Sequence, residues 1–383
     1  MKEDSRRMPV IKKLLCIFIF SVTLIMSCSK ENKNKIKPDT VPVDKNASDG
    51  VKKLMNYFYD EVYGKHIISG IMDCAWSDKI DMKEKVVLDT GKEPALMGYD
   101  FMNLTKKGGL EEFNPSQVQK AIDWWKKGGL VTFTWHWRDP SDPSRYPEFY
   151  TEKTDFTIPY DKDKKAIDTE SKDFEFIKKD LDTIASYLDE LQKNGVVVLW
   201  RPMHEGAGNY GLYGGLGKAW FWWGAKGPEP YVALYRFMFD YFTNEKNLHN
   251  LIWVWNGQHK QFYPGDDYVD IIGWDPYKNT HSSMDSLYNK CVNMSDNPEE
   301  RQKMIAISEN DCVPDPDEFK KSDSNWIFFM IWNDDDALMD DSQDDDDNFW
   351  GGRKFNSLVD KKKCFTSSYV ITKERLNLEK ILK

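Results

Sequence analysis

Residues 196–205 read VVVLWRPMHE. The apolar run that opens this stretch is too short for a buried helix, and it follows Asn194-Gly195, a pair suited to closing a helix in a left-handed C-cap. A strand apolar along its whole length must be covered on both faces, as in a parallel sheet flanked by helices. The run ends in Arg201, His204 and Glu205, so polar groups emerge where the strand leaves the core. Seven further short apolar runs share this form, at 66–72, 94–102, 130–137, 251–256, 269–277, 303–309 and 326–333. Between them lie amphipathic stretches with apolar residues at i, i+3 and i+4, such as 115–127, 174–193 and 231–242. Eight strands alternating with helices predict a single α/β domain, a closed (β/α)8 TIM barrel with its chemistry at the C-terminal ends of the strands.

Composition narrows the function. The 383 residues carry 53 Lys and Arg against 63 Asp and Glu, a net charge of -10, and 14% aromatic residues. So many rings exclude a disordered chain, and the acidic balance without a basic block argues against a nucleic-acid partner. Lys12 and Lys13 precede an apolar run at 14–26, the length of a signal-peptide core rather than of a membrane span. The run closes on Ser27-Cys28, which resembles the lipobox of bacterial lipoproteins. Residues 1–28 are therefore expected to be an export signal with Cys28 as the lipidation site, an ordinary cleaved signal being the alternative. Residues 29–50, polar and carrying Pro and Gly, are expected to be a flexible tether, and 51–383 the folded domain. The protein is then expected to be exported and membrane-anchored by its lipid, on the outer surface or the periplasmic face, and monomeric. Cys74, Cys291, Cys312 and Cys364 fall in that domain, where a disulfide is permitted and no pairing is legible.

Strand ends supply the candidate site: Asp100, His136, Arg201, His204, Glu205, Asn256, Asp275, Tyr277, Glu309 and Trp332. Glu205 and Glu309 follow buried runs on strands four and seven, opposite sides of the barrel. Burying a carboxylate is costly unless it is paired or used. Two structural ion pairs, one with Arg201, would account for the pair. So would glycoside hydrolysis, in which one carboxyl protonates the leaving oxygen and the other attacks the anomeric carbon. In that case Arg201 would keep one carboxylate charged, while burial beside a negative neighbour would keep the other protonated. No H-E-x-x-H, P-loop or G-x-S-x-G pattern points to another chemistry.

The stretch RPMHE at 201–205, WFWWG at 220–224 and Ser308-Glu309 together resemble glycoside hydrolase family 26, over about 51–332. The resemblance implies a retaining endo-β-1,4-mannanase acting on mannan, galactomannan or glucomannan, with no cofactor and no metal. It implies Glu205 as acid/base and Glu309 as nucleophile. It further implies substrate contacts from His136, Asp275, Tyr277, Trp220 and Trp332, and His204 orienting the carboxylates by hydrogen bonding. Alternatives are action on β-1,3-xylan or mixed-linkage glucan, release of mannobiose from chain ends, and a surface lipoprotein that binds glycan without cutting it. Most of the 15 Trp are expected in the core. Two features depart from the simplest family members. One is a glycine-rich insertion, GAGNYGLYGGLGKA at 206–219; the other is an acidic stretch with nine Asp between Asp334 and Asp347, read as a solvated loop, a cation site being the alternative.

Overall fold

The structure, a computed structural model, describes residues 36–77, 79–105, 116–144, 148–334, 348–352 and 354–383. The signal segment with Cys28 and most of the acidic stretch, 335–347, lie outside the described residues. The central sheet has seven parallel strands: β1 (Gly70–Met72), β2 (Leu96–Asp100), β3 (Leu130–Thr134), β4 (Val198–Arg201), β5 (Leu251–Trp255), β6 (Ile271–Trp274) and β7 (Met304–Ile307). Each is hydrogen-bonded to the next in chain order.

The eighth apolar run is not a continuous strand. Residues 326–333 instead make isolated parallel bridges to both edges, Trp326 with Ile305 and Phe328 with Ile68, while Ile331 bridges both Asn310 and Ile71. Ile327 N–H donates to Ile305 O at 2.9 Å and Phe329 N–H to Ile68 O at 3.1 Å, so the sheet closes into a (β/α)8 barrel. The seam is tight. A Cβ at Gly70 would stand 2.5 Å from the Phe329 carbonyl oxygen, so only glycine admits the approach.

Helices ring the sheet: α1 (Asp49–Tyr57), α2 (Met82–Thr90), α3 (Ser116–Lys126), α4 (Lys172–Lys193), α5 (Pro228–Asp240), α6 (Asp285–Val292), α7 (Pro316–Lys321) and α8 (Leu358–Thr366). In α4, Ser171 caps the N-terminus by accepting from Asp173 N–H, and Phe174, Ile177, Leu181, Ile184, Leu188 and Leu191 form the buried stripe its spacing predicts. Truncating one of these, as in Leu188→Ala, is worth roughly 2–5 kcal/mol. The helix is released into β4 through Gly195 at φ +72°. Trp124, Trp125, Trp135, Trp200, Trp253 and Trp255 are buried, as expected of core rings, and so are Trp137, Trp274 and Trp350, whose positions in the sequence also suit ligand contact.

One expectation of the fold is corrected. Residues 36–50 are not free tether: Asp39 N–H donates to Gln302 O, Arg301 pairs with Asp39 at 2.7 Å, and His249 Nδ1 lies 2.8 Å from Asp44. The polar composition that looked solvated serves these docking contacts. The four cysteines of the domain, Cys74, Cys291, Cys312 and Cys364, are buried as free thiols rather than bridged.

Candidate active site

The site is assembled where the strands run out. Arg201, the last residue of β4, is buried, and its guanidinium lies between two carboxylates: Nη1 donates to Asp275 Oδ2 at 3.2 Å and Nη2 to Glu309 Oε1. Burial works against that charge, but Glu309 and Asp275 outweigh it and hold Arg201 above its usual pKa. The other oxygen of Glu309 accepts from Tyr277 Oη at 2.8 Å. Burial, then the charge of Glu309, pushes the Tyr277 hydroxyl well above its usual value, so it stays a donor. Asp275 also accepts from Ser308 Oγ at 2.7 Å, and Asn256 donates to that hydroxyl at 2.8 Å.

After Arg201 the chain turns sharply, with Met203 at φ +50° and Glu205 at φ +51°. Such left-handed residues persist only where their surroundings over-determine them, and they gather at functional sites. Here Tyr231 Oη donates to Met203 O at 2.8 Å, Trp223 Nε1 to His204 O at 2.8 Å, and Glu205 N–H to Asn256 O at 2.6 Å. The turn carries the Glu205 side chain to Glu309 and Asp275; one carboxylate oxygen from each of the three lies within 4.8 Å of the others. Among the described residues, no cation pairs directly with Glu205. Its carboxyl takes a hydrogen bond from Gln258 Nε2 at 2.9 Å, and burial, followed by the charges of Asp275 and Glu309, raises its pKa well above the ordinary value. A guanidinium already bridges two of the three carboxylates, so the trio reads as a proton-transfer and nucleophile site rather than a cation centre.

A second polar chain runs beside the carboxylates. Asp100, closing β2, accepts from the backbone N–H groups of Met102 and His136 and lies 2.5 Å from His136 Nδ1. Burial opposes its charge, but His136 and these donors prevail and hold Asp100 below its usual value. His136 Nε2 then meets His204 Nε2 at 3.2 Å, and His204 Nδ1 meets Thr134 Oγ1 at 3.2 Å. Both nitrogens of His204 are thus engaged, which corrects the expectation that it hydrogen-bonds the carboxylates. Burial and the nearby His136 and Arg201 lower its pKa well below the usual value, so it is a neutral link.

Aromatic side chains line the opening. Trp220 is 43% exposed and Tyr277 36%, and the half-buried Trp332 ring lies 5.7 Å from that of His136. Of the WFWWG run, Trp220 alone is exposed; Phe221, Trp222 and Trp223 are buried. Every residue singled out at the strand ends therefore converges on one mouth. Sequence reasoning missed Gln258 and also Tyr150, which is 40% exposed and whose hydroxyl is raised by burial and then by the charges of Glu205, Glu148 and Glu309. Neither carries a motif or closes an apolar run, so no sequence signal marked them.

A parallel barrel with two buried carboxyls facing each other at its C-terminal mouth defines a glycoside-hydrolase type of site. The profile of Glycosyl hydrolase family 26 matches residues 43–375, and the chain belongs to that family. It is 32% identical over 336 residues to a mannan endo-1,4-beta-mannosidase of Thermothelomyces thermophilus, covering 86% of this chain and 62% of that protein. It is 31% identical to mannan endo-1,4-beta-mannosidase B of a Piromyces species, covering 80% of this chain and 49% of that one. The chain thus spans about half to three-fifths of the length of these relatives. Among solved structures, the beta-mannanase from a symbiotic protist of the termite Reticulitermes speratus, complexed with gluco-manno-oligosaccharide, superposes with a TM-score of 0.73 at 33% identity, covering 89% of this chain and 98% of that one.

Proposed function

We propose that this protein is a retaining endo-β-1,4-mannanase in which Glu309 is the nucleophile and Glu205 the acid/base. One observation carries the assignment of roles. Glu309 is held by a guanidinium and a phenol, while Glu205, equally buried, faces negative neighbours that favour its protonated form. Glu309 attacks the anomeric carbon as Glu205 gives its proton to the departing glycosidic oxygen, leaving a glycosyl ester on Glu309. Glu205, now a carboxylate, takes a proton from water, which displaces the sugar from Glu309 and restores both groups. The approach of the carboxylate oxygens to within 4.8 Å suits this double displacement, since inverting enzymes separate the two groups by about 6.5–9.5 Å. Arg201 and Asp275 fix the nucleophile, and Trp220, Tyr277, Trp332, His136 and His204 build the walls of the sugar cleft.

The names of the relatives support β-mannan as substrate, and the complex of the protist enzyme supports a mixed gluco-manno chain as one form of it. Neutral polymers also suit a protein of net charge -10. The Lys12–Lys13 pair, the apolar run and Ser27-Cys28 support export with a lipid on Cys28. The test is a product time course on galactomannan, glucomannan, mannohexaose, β-1,3-xylan and mixed-linkage glucan, with Glu309→Ala as control. Mixed mannooligosaccharides appearing early from polymer are expected. Mannobiose alone would mark a chain-end enzyme, and cutting of the xylan or mixed-linkage glucan alone would displace mannan as substrate.

A further inference from the structure

We propose that Gln258 is a positioning residue for the acid/base: its amide holds Oε1 of Glu205 and so reserves Oε2 for the proton given to the leaving sugar. The inference deepens the reading of Glu205 as acid/base and rests on it. Gln258 Nε2 donates to Glu205 Oε1 at 2.9 Å, and no hydrogen bond among the described residues reaches Oε2. The two residues are built as a unit. Gln258 is at φ +59° and Glu205 at φ +51°, and their loops are joined by Glu205 N–H to Asn256 O at 2.6 Å and Ala207 N–H to Gly257 O at 3.1 Å. Between those bonds Gly257 lies against the Trp255 ring, where an added Cβ would come within 2.6 Å, so the loop cannot slide without repacking a buried indole. A left-handed residue so fastened aims one amide at one oxygen of the carboxyl.

The chemistry asks for such a device. A carboxylic acid with two equivalent oxygens can carry its proton on the wrong one, and delivery then fails although the group is protonated. An N–H donor at Oε1 makes that oxygen the acceptor and leaves Oε2 as the hydroxyl. The same donor favours the carboxylate formed after proton transfer. The other charged and titratable groups facing Glu205 are Arg201 from β4, Asp275 beyond β6 and Glu309 beyond β7, with Tyr150 from the loop after β3 and Tyr277 from the loop after β6; of the three charges, only Arg201 favours the ionised form.

The test compares the wild type with Gln258→Met, which keeps length and Cβ but lacks the donor, on mannopentaose and on 2,4-dinitrophenyl β-mannobioside, whose leaving group needs no acid. Glu205→Ala is the reference, and thermal melting checks that each variant folds. Gln258→Met is expected to lower kcat/KM roughly tenfold on mannopentaose and much less on the aryl substrate, and to move the alkaline limb of the profile to higher pH. Equal losses on both substrates, or an unmoved alkaline limb, would overturn the proposal while leaving the acid/base role intact, provided that Glu205→Ala discriminates between the substrates. If Glu205→Ala itself did not discriminate, the underlying reading would fall, and this one with it.

Discussion

Glu205 and Glu309 are the same residue type, 6% and 4% exposed, at the mouths of β4 and β7. Their surroundings differ. Around Glu309 the fold places an arginine and a phenol, so both oxygens are held by donors; around Glu205 it places two carboxylates, Arg201 without a hydrogen bond and, among the described residues, one neutral amide as donor. Similar burial therefore accompanies different surroundings: a cation and hydrogen-bond donors favour a charged carboxylate, whereas like charges add to burial in favouring the protonated form. The comparison also shows where Asp275 enters: it shares Arg201 with Glu309, and when ionised it favours the protonated form of Glu205.

Removing one carboxyl at a time tests this asymmetry most strongly. Glu309→Ala should lower kcat on mannopentaose by ~10⁴-fold or more, because no other group forms the covalent intermediate; a loss under tenfold would erase the distinction. Glu205→Ala should cost about 10²–10⁴-fold on mannooligosaccharides. The cost should shrink for an aryl mannobioside, and added azide should restore turnover by forming the β-mannosyl azide. Without azide rescue, Glu205 would not be the base of the second step.

Breaking the Arg201 bridge tests stability as well as catalysis. Arg201→Met leaves Glu309 and Asp275 buried side by side without a cation, and chemical denaturation should show a loss of about 3–5 kcal/mol. A neutral result would mean that the carboxylates are less desolvated than their burial shows. The smallest effect concerns Glu205 alone. Its pKa is raised in the folded state, so below the unfolded value its burial costs little, and stability falls as pH rises toward the folded value. Glu205→Gln should accordingly raise Tm at neutral pH by on the order of 2 °C, with no gain at pH 4. The activity profile should show the matching sign, with kcat/KM falling as pH rises through the raised pKa of Glu205.

Much of this was legible in the sequence because the signals were local. VVVLWR, TFTWHW and KMIAISE each declare a covered strand and, by their last residues, which groups reach the mouth. The closing segment was harder. Residues 326–333 have the apolar pattern of a strand but meet the two edges of the sheet through isolated bridges rather than a ladder. Docking of 36–50 was hidden because Asp39 and Asp44 find Arg301 and His249 more than 200 positions away. The same holds for the role of His204. Its neighbour in sequence is the carboxylate, while its neighbours in space are His136 and Thr134, a matter of ring direction that spacing does not encode.

The division of labour between the two carboxyls is tested most directly by trapping the intermediate with a 2-deoxy-2-fluoro-β-mannosyl fluoride and mapping the modified peptide by mass spectrometry. The account predicts one sugar, esterified to Glu309. A sugar found on Glu205 or Asp275 would contradict it.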